Sequence, residues 1–478
     1  MKVLLTMPIG VEKTEIYRIL GIKAPPLGLA WIAAVLEREG IEVKVIDAPT
    51  IGLSEQEFMK IIDTWSPDIV GISSLTPTIY LAYRTAKITK DVDSNIKVII
   101  GGPHATFMWS DILAECPYID YVVIGEGEYT ALELVKTLEK NGDVSNVRGI
   151  AYRNKDSRPV FTGIRPLIKN LDELPPPARH LLPMDKYTLF GKPIRIAHIM
   201  ASRGCPYGCA FCSTSYFFGR RVRFRSPELV AEEIEECICK YKTKAVVFTD
   251  DEFTINHRWL LKFLNELKER KLDIKWSCGS RVDTVNKEIL KHMVNSGCTG
   301  IYYGVESGSQ EILDKIGKKI TLKQAEDAIK SSKELGIMTV ATFILGLPWE
   351  TIDDMKKTAS FALKLDPDYA QFTAATPYPG TPLFQIAKND NLIVDWDWSH
   401  WTTLRPVMRG YNFTVQDVER MLNYAYRYFY LRAKFIIRQL KRGVFKDMLK
   451  VLYRNLVKPS MDTLVSVFKK ILGLHTSI

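Results

Sequence analysis

Residues 194–212 read IRIAHIMASRGCPYGCAFC. The opening run is apolar and strand-like. The rest carries Cys205, Cys209 and Cys212 in a C-x3-C-x2-C spacing, on a loop bent by Gly204, Pro206 and Gly208. Thiolates this close in the chain can converge on one metal centre. Zinc takes four ligands, usually from two C-x2-C pairs, and no second pair sits at a zinc-like distance. Cys237 and Cys239 are spaced as neighbours on a helix. A cubane iron–sulfur cluster usually takes four thiolates, so three leave one iron open to bind another molecule.

Downstream, strand-like segments recur at AVVFTD (245–250), IKWSCGS (274–280), TGIYYGVE (299–306), TVATFILG (339–346) and YAQFTAAT (369–376). Helical stretches separate them, such as SPELVAEEIEECICKY (226–241) and HRWLLKFLNELKERK (257–271). Six strand–helix repeats fall short of the eight that close a (β/α) barrel, so residues 196–400 are expected to form a partial barrel.

Upstream, residues 1–140 alternate in the same way. KVLLTMP, IEVKVIDA, PDIVGISSL, KVIIGG and DYVVIGEGE read as strands, and PPLGLAWIAAVLEREG and SEQEFMKIIDTW as helices. Buried strands separated by helices predict a parallel sheet covered on both faces. Ligands of such sheets sit beyond the carboxyl ends of the strands. Residues 141–195 are less regular. The proline-rich LDELPPPARHLLP at 171–183 cannot be a regular element and is read as a linker.

The cysteine triplet, its position after a first strand, and Phe211 just before the last cysteine together resemble the radical S-adenosylmethionine (SAM) superfamily. That resemblance implies a [4Fe-4S] cluster on Cys205, Cys209 and Cys212, with SAM chelating the fourth iron. One-electron reduction, by a ferredoxin- or flavodoxin-type partner, then cleaves SAM to a 5′-deoxyadenosyl radical. It also implies SAM contacts at the strand ends. These are Phe211 on the loop, Asp251 and Glu252 of Asp250-Asp251-Glu252, Arg281 ahead of Asp283, Glu306 and Ser307 of GVESG, and Gly346 of FILGLP, which would admit the cofactor close to the backbone. Singly each is weak, because a lone glutamate at a strand end is ordinarily solvated or paired; their order is what counts.

The first 140 residues resemble the flavodoxin- or Rossmann-like cobalamin-binding domain found ahead of many such barrels. Ser73-Ser74-Leu75 matches its S-x-L, Gly101-Gly102 its glycine pair, and Gly125-Glu126 opens GEGE after the fifth strand. The D-x-H-x-x-G motif is absent, and the first histidine is His104. The resemblance therefore implies cobalamin without a histidine ligand; a domain of this fold that binds nothing is the alternative. The expected fold is α/β, with that domain, a partial (β/α)6 radical SAM barrel and a helical C-terminal segment from 401 to 478.

The eight cysteines include three in the motif, and the others are scattered, unlike a disulfide framework. Met1-Lys2 leads straight into a strand-like run, and no long uninterrupted apolar window occurs, so a cytoplasmic protein without a membrane span is expected. The net charge of +10 is concentrated in the tail, where residues 411–478 hold 13 Lys/Arg against 4 Asp/Glu. Tyr424, Tyr428, Leu431 and Phe435 recur at helical spacing among these cations, as do Val444, Met448, Val451 and Leu452. Such helices suit the inner face of a membrane, although helices that merely close the barrel would look similar.

Relatives with this layout include hopanoid methylases, tetraether-lipid ring synthases and the anaerobic Mg-protoporphyrin cyclase group. Radical modification of a membrane lipid, by methylation or C–C bond formation, is the leading expectation. The rivals are methylation of a soluble metabolite or peptide, tRNA methylthiotransferase chemistry, and a non-enzymatic cobalamin or redox sensor. Nucleic acid is not an expected partner, because the body of the chain is near neutral.

Overall fold

The computed structural model of the chain describes residues 1–14, 17, 23–187 and 195–441. Two parallel sheets carry the molecule. In the first, β1 (Lys2–Thr6), β2 (Glu42–Ile46), β3 (Ile69–Ser73), β4 (Lys97–Gly101) and β5 (Tyr121–Val123) lie in the order 2-1-3-4-5. The central strands β1, β3 and β4 are rich in Val, Ile and Leu, because helices cover both faces there. Between β1 and β2, the helix Leu27–Arg38 buries Leu29, Ala30, Ala33 and Leu36, and the chain turns at Gly40. Crossing from β1 outward in both directions opens a crevice at the carboxyl edge, beside β1 and β3.

Residues 150–161, read from sequence as the start of a linker, instead complete this sheet. β6 (Ile150–Arg153) pairs antiparallel with β5, and β7 (Pro159–Phe161) pairs antiparallel with β6. The reason is visible at Arg153, whose guanidinium donates to the carbonyls of Leu113, Cys116, Pro117 and Ile119 and ties the hairpin to the turn before β5. The proline-rich stretch behind it is irregular, as expected, but not loose. Ile168, Leu171 and Leu174 pack with Leu27, Trp31 and Val35.

The second sheet holds six parallel strands in sequential order. They are β8 (Ile196–Ile199), β11 (Ala245–Phe248), β12 (Lys275–Arg281), β13 (Cys298–Glu306), β14 (Met338–Leu345) and β15 (Tyr369–Ala374). This is the expected open barrel. A small antiparallel pair, β9 (Ser202–Arg203) with β10 (Arg223–Phe224), frames the cysteine loop. β13 carries a register shift between Gly304 and Glu306, and Glu306 stands at φ 69°, a left-handed conformation unusual for a glutamate.

The open edge at β15 is covered by the helix Val415–Tyr430, which starts at a Thr414–Asp417 capping box. Val418, Met421, Leu422, Ala425 and Phe429 face inward. The hydroxyl of Tyr426 accepts from the Phe372 N–H (3.3 Å) and donates to the Phe372 carbonyl (2.9 Å). Tyr430 does the same at Ala370 (3.1 and 2.6 Å). Tyr424, Tyr428 and Leu431 stay exposed, while Phe435 is buried. Of the apolar residues expected to contact a membrane, Phe435 therefore belongs to the packing, and Val444, Met448, Val451 and Leu452 lie outside the described residues. Among the described residues no helix is long and apolar enough to cross a membrane.

Candidate active site

The cysteine loop leaves β9 and is clamped from three sides. The Cys205 N–H donates to the Gly219 carbonyl (3.2 Å), the Ala210 N–H to that of Ile316 (2.9 Å), and the Leu383 N–H to that of Ala210 (2.9 Å). Ser215 Oγ donates to the Cys205 carbonyl (2.9 Å) and accepts from the Gly208 N–H (3.2 Å). All three cysteines are free thiols. Burial pushes Cys205 up to about 11, and its sister cysteines add to the shift. Burial also raises Cys209, against the pull of Lys318 and Arg281. Such thiols are inert alone and become thiolates when a metal's charge offsets the burial, which fits a ligand set. Among the described residues no three His, Cys, Asp or Glu side chains converge tightly enough for a single ion. A polynuclear cluster holds its thiolates further apart than one ion does.

Arg281 and Asp283, at the end of β12, form a bidentate pair (2.8 and 2.9 Å), and the Arg281 guanidinium lies 3.5 Å from the Tyr207 ring centre. Arg281 therefore presses on the cysteine loop through Tyr207. Its Nη2 also donates to the Lys318 carbonyl (2.7 Å). Lys318 is buried, pairs with Glu306 (2.8 Å) and brings its charge to Cys209. Sequence reasoning passed over Lys318 and Tyr207. Nothing in IGKKI marks its first lysine until the fold sets it beneath the loop.

The acidic trio at the end of β11 divides its work. Asp250 is spent inside, accepting from the Ala201 N–H (3.1 Å) and Ser202 Oγ (2.5 Å), and burial pushes it up to about 7. Asp251 is exposed and accepts from Thr214 Oγ1 (2.8 Å), two residues beyond Cys212. Glu252 is buried and raised by that burial, with one oxygen taken by the Arg281 N–H, Thr254 and Thr284. Phe211 is half-buried against the barrel core.

Two expected SAM contacts are spent elsewhere. Ser307 is fully buried; its hydroxyl lies 3.2 Å from Thr358 Oγ1 and accepts from the Ser309 N–H, so it fastens a turn to the helix Ile352–Leu365. Gly346 has φ 90°, and an added Cβ would meet Val418 at 2.9 Å. The close approach it permits is to the C-terminal helix, not to an open cleft. Its N–H, with that of Leu347, donates to Glu350 (2.7 and 2.8 Å).

At the carboxyl edge of the first sheet, a cleft of about 1340 Å³, counted with its open mouth, runs between the two domains. Ser73, Gly101, Gly102 and Gly125 line one wall, and Ser213 and Thr214, directly after Cys212, line the other. Gly102 is needed here: at φ 105° a Cβ would strike the Ser74 carbonyl at 2.5 Å. The bare backbone of these glycines suits a bulky flat ligand. Ser74 and Leu75 are not in the lining. Ser74 is buried with its N–H on the Gly101 carbonyl, and Leu75 stands exposed. His104 is also outside it, buried edge-on against Trp398.

Glu126 lines the cleft, but its carboxylate is engaged. It pairs with Arg203 (3.1 Å) and Arg223 (2.9 Å) and accepts from the Ile168 N–H (2.8 Å). Glu128 takes the other fork of Arg203 at 2.5 Å. Arg203 itself lies over the rings of Trp31 and Phe218 (5.0 and 5.7 Å). A cation two residues before Cys205 is thus held by two carboxylates of the other domain. This joint escaped the sequence reading because its partners are 75 or more positions apart.

Comparison with known proteins agrees with this layout. The model of the radical SAM superfamily matches residues 199–362, and that of the B12 binding domain matches residues 20–135. The chain is 42% identical over 462 residues to an uncharacterized methyltransferase of Pyrococcus horikoshii, covering 95% of this chain and 99% of that protein. It is 34% identical over 418 residues to the anaerobic magnesium-protoporphyrin IX monomethyl ester cyclase of Rubrivivax gelatinosus, covering 86% of this chain and 75% of that one. Among solved structures, the cobalamin-dependent S-adenosylmethionine radical enzyme OxsB superposes with a TM-score of 0.75 at 18% identity, over 99% of this chain and 75% of that one. A cysteine loop clamped at the mouth of an open barrel, facing a glycine-walled cleft in a 2-1-3-4-5 sheet, therefore belongs to the radical SAM superfamily, in the group that carries a B12-binding domain ahead of the barrel, and the chain is an enzyme of the methyltransferase and cyclase type whose cofactors are a [4Fe-4S] cluster, SAM and cobalamin.

Proposed function

We propose that the enzyme methylates an unactivated carbon, with Cys205, Cys209 and Cys212 as the cluster ligands. The observation behind this reading is the shared cleft: its walls come from the glycine-rich strand ends of one domain and from the two residues that follow Cys212 in the other. A methyl carrier seated there would lie beside the radical source. When bound, the cluster and SAM supply a carbon radical and cobalamin supplies a transferable methyl group. The chain's own residues set the stage. Arg281 and Lys318 place positive charge under the cysteine loop, Asp251 and Glu252 offer carboxylates to a cationic cofactor, and Glu306 is held at the end of β13 by Lys318.

The test is anaerobic reconstitution with iron, sulfide and hydroxocobalamin, followed by turnover with SAM and a one-electron reductant. An iron complement of about four per chain, absent in the Cys205→Ala/Cys209→Ala/Cys212→Ala protein, and a product heavier by one methylene support the reading. A product of unchanged carbon count but one more ring supports the cyclase alternative that the Rubrivivax relative suggests. No cluster at all sinks both.

A membrane lipid is the proposed substrate class, and a specific feature favours it. Tyr424, Tyr428 and Leu431 form an exposed stripe on the capping helix, flanked by exposed Arg420, Arg427 and Lys434. Apolar residues between cations suit an anionic interface. Co-sedimentation with anionic but not neutral liposomes, lost on Tyr424→Ser/Tyr428→Ser/Leu431→Ser, is the expected result. Indifference to liposomes would leave a soluble metabolite or peptide as the acceptor.

A further inference from the structure

We propose that Glu128 is the hydrogen-bond acceptor in the interdomain cleft for a carboxamide N–H on the rim of the corrin ring, an assignment that rests on cobalamin occupying that cleft. The two carboxylates of GEGE differ in what they have left to offer. Both oxygens of Glu126 are used, by Arg203, Arg223 and the Ile168 N–H. Glu128 uses one oxygen on Arg203; among the described residues its Oε2 is buried without a hydrogen-bond partner. Glu128 is only 4% exposed and belongs to the lining of the cleft. A buried acceptor left unmatched is costly, so a donor from whatever fills the cleft is called for.

Charge decides what kind of donor. Glu126, Glu128, Arg203 and Arg223 form a buried tetrad of two anions and two cations. A further cation would leave the buried group with excess positive charge, and an anion would face the Glu128 carboxylate. A neutral N–H fits. Corrin carries neutral carboxamides around its rim, whereas phosphate offers no donor when ionised and SAM presents a charged ammonium. Arg203, which lies over the rings of Trp31 and Phe218, holds the Glu128 carboxylate in place, so the acceptor is set before the ligand arrives.

The experiment uses the full chain, reconstituted with its cluster. Cobalamin and its monocarboxylic derivatives, each with one rim carboxamide hydrolysed to a carboxylate, are titrated by visible absorption. One isomer is expected to bind the unaltered protein about tenfold or more weakly, because it sets carboxylate against carboxylate. Glu128→Gln should restore that isomer selectively. If every isomer binds the unaltered protein within about twofold of cobalamin, the assignment is overturned, and this arm does not depend on the variant folding. If cobalamin itself fails to bind, the occupancy reading falls first, and the assignment falls with it.

Discussion

Replacing Arg203 by methionine keeps roughly the stem volume and removes one of the two cations, the other being Arg223, that join the two domains. The cost follows from its contacts. Two charge-assisted hydrogen bonds, at 3.1 and 2.5 Å, are lost from a site where all three side chains are at most 5% exposed. Each such bond contributes about 1.5–3 kcal/mol, and breaking a buried pair by removing one partner costs about 3–5 kcal/mol. We expect a loss of about 3–5 kcal/mol, with Arg203→Lys in between because it keeps the charge and loses the fork. The loss should also depend on pH. Burial opposes ionisation of Glu126, but the Arg223 hydrogen bond and the Arg203 charge outweigh it and hold the carboxyl below its ordinary 4.5. A depressed acid contributes stability above its unfolded value and loses it as pH falls through its folded one. Arg203→Met weakens that contribution, so the gap between the two proteins should narrow below pH 4.5. Urea unfolding of the apo chain by circular dichroism, read at its first transition from pH 7 downward, is the assay. A loss under about 1 kcal/mol, or a gap that does not respond to acid, would refute the account of this joint.

Three other outcomes are expected. Gly346→Ala should destabilise the capping helix by about 1–3 kcal/mol, since φ 90° and a 2.9 Å approach to Val418 both oppose a Cβ; thermal unfolding should show partial rescue by Val418→Ala. Tyr426→Phe/Tyr430→Phe should cost about 1–3 kcal/mol per hydroxyl and speed amide exchange at Ala370 and Phe372, whose N–H groups those hydroxyls hold. Burial pushes Glu350 up to about 8 from 4.5, so its contribution to stability is intact below pH 4.5 and drains away as pH rises to about 8. Glu350→Gln should flatten that part of the melting-temperature profile, and an unchanged slope would contradict it.

The framework of both sheets was legible because most of its parallel strands are apolar-rich segments with a helix behind them, and such periods survive in sequence. The cysteine loop was legible because its donors lie within eight positions. What was missed is non-local. β6 and β7 are only four and three residues long, and they exist because Arg153 finds four carbonyls that precede it by more than thirty positions. Glu126 was recognised by its motif but assigned to a ligand, whereas its oxygens belong to Arg203 and Arg223. Ser307 followed the right strand and turned inward. A strand end marks the neighbourhood of a site; which way a side chain faces there depends on partners that leave no spacing behind.

The hairpin β6–β7 and the packed segment behind it move the modular boundary. Composition changes near residue 141, yet a breakpoint there would strand β5 as a raw edge, strip the Ile168 N–H from Glu126 and uncover Trp31. A transplantable first module must run past Leu174. Even then it carries two carboxylates made to receive two arginines, Arg203 and Arg223, from the barrel. Exchange of either half between relatives, in evolution or in the laboratory, is therefore constrained to partners that bring matching charges at the positions of Arg203 and Arg223.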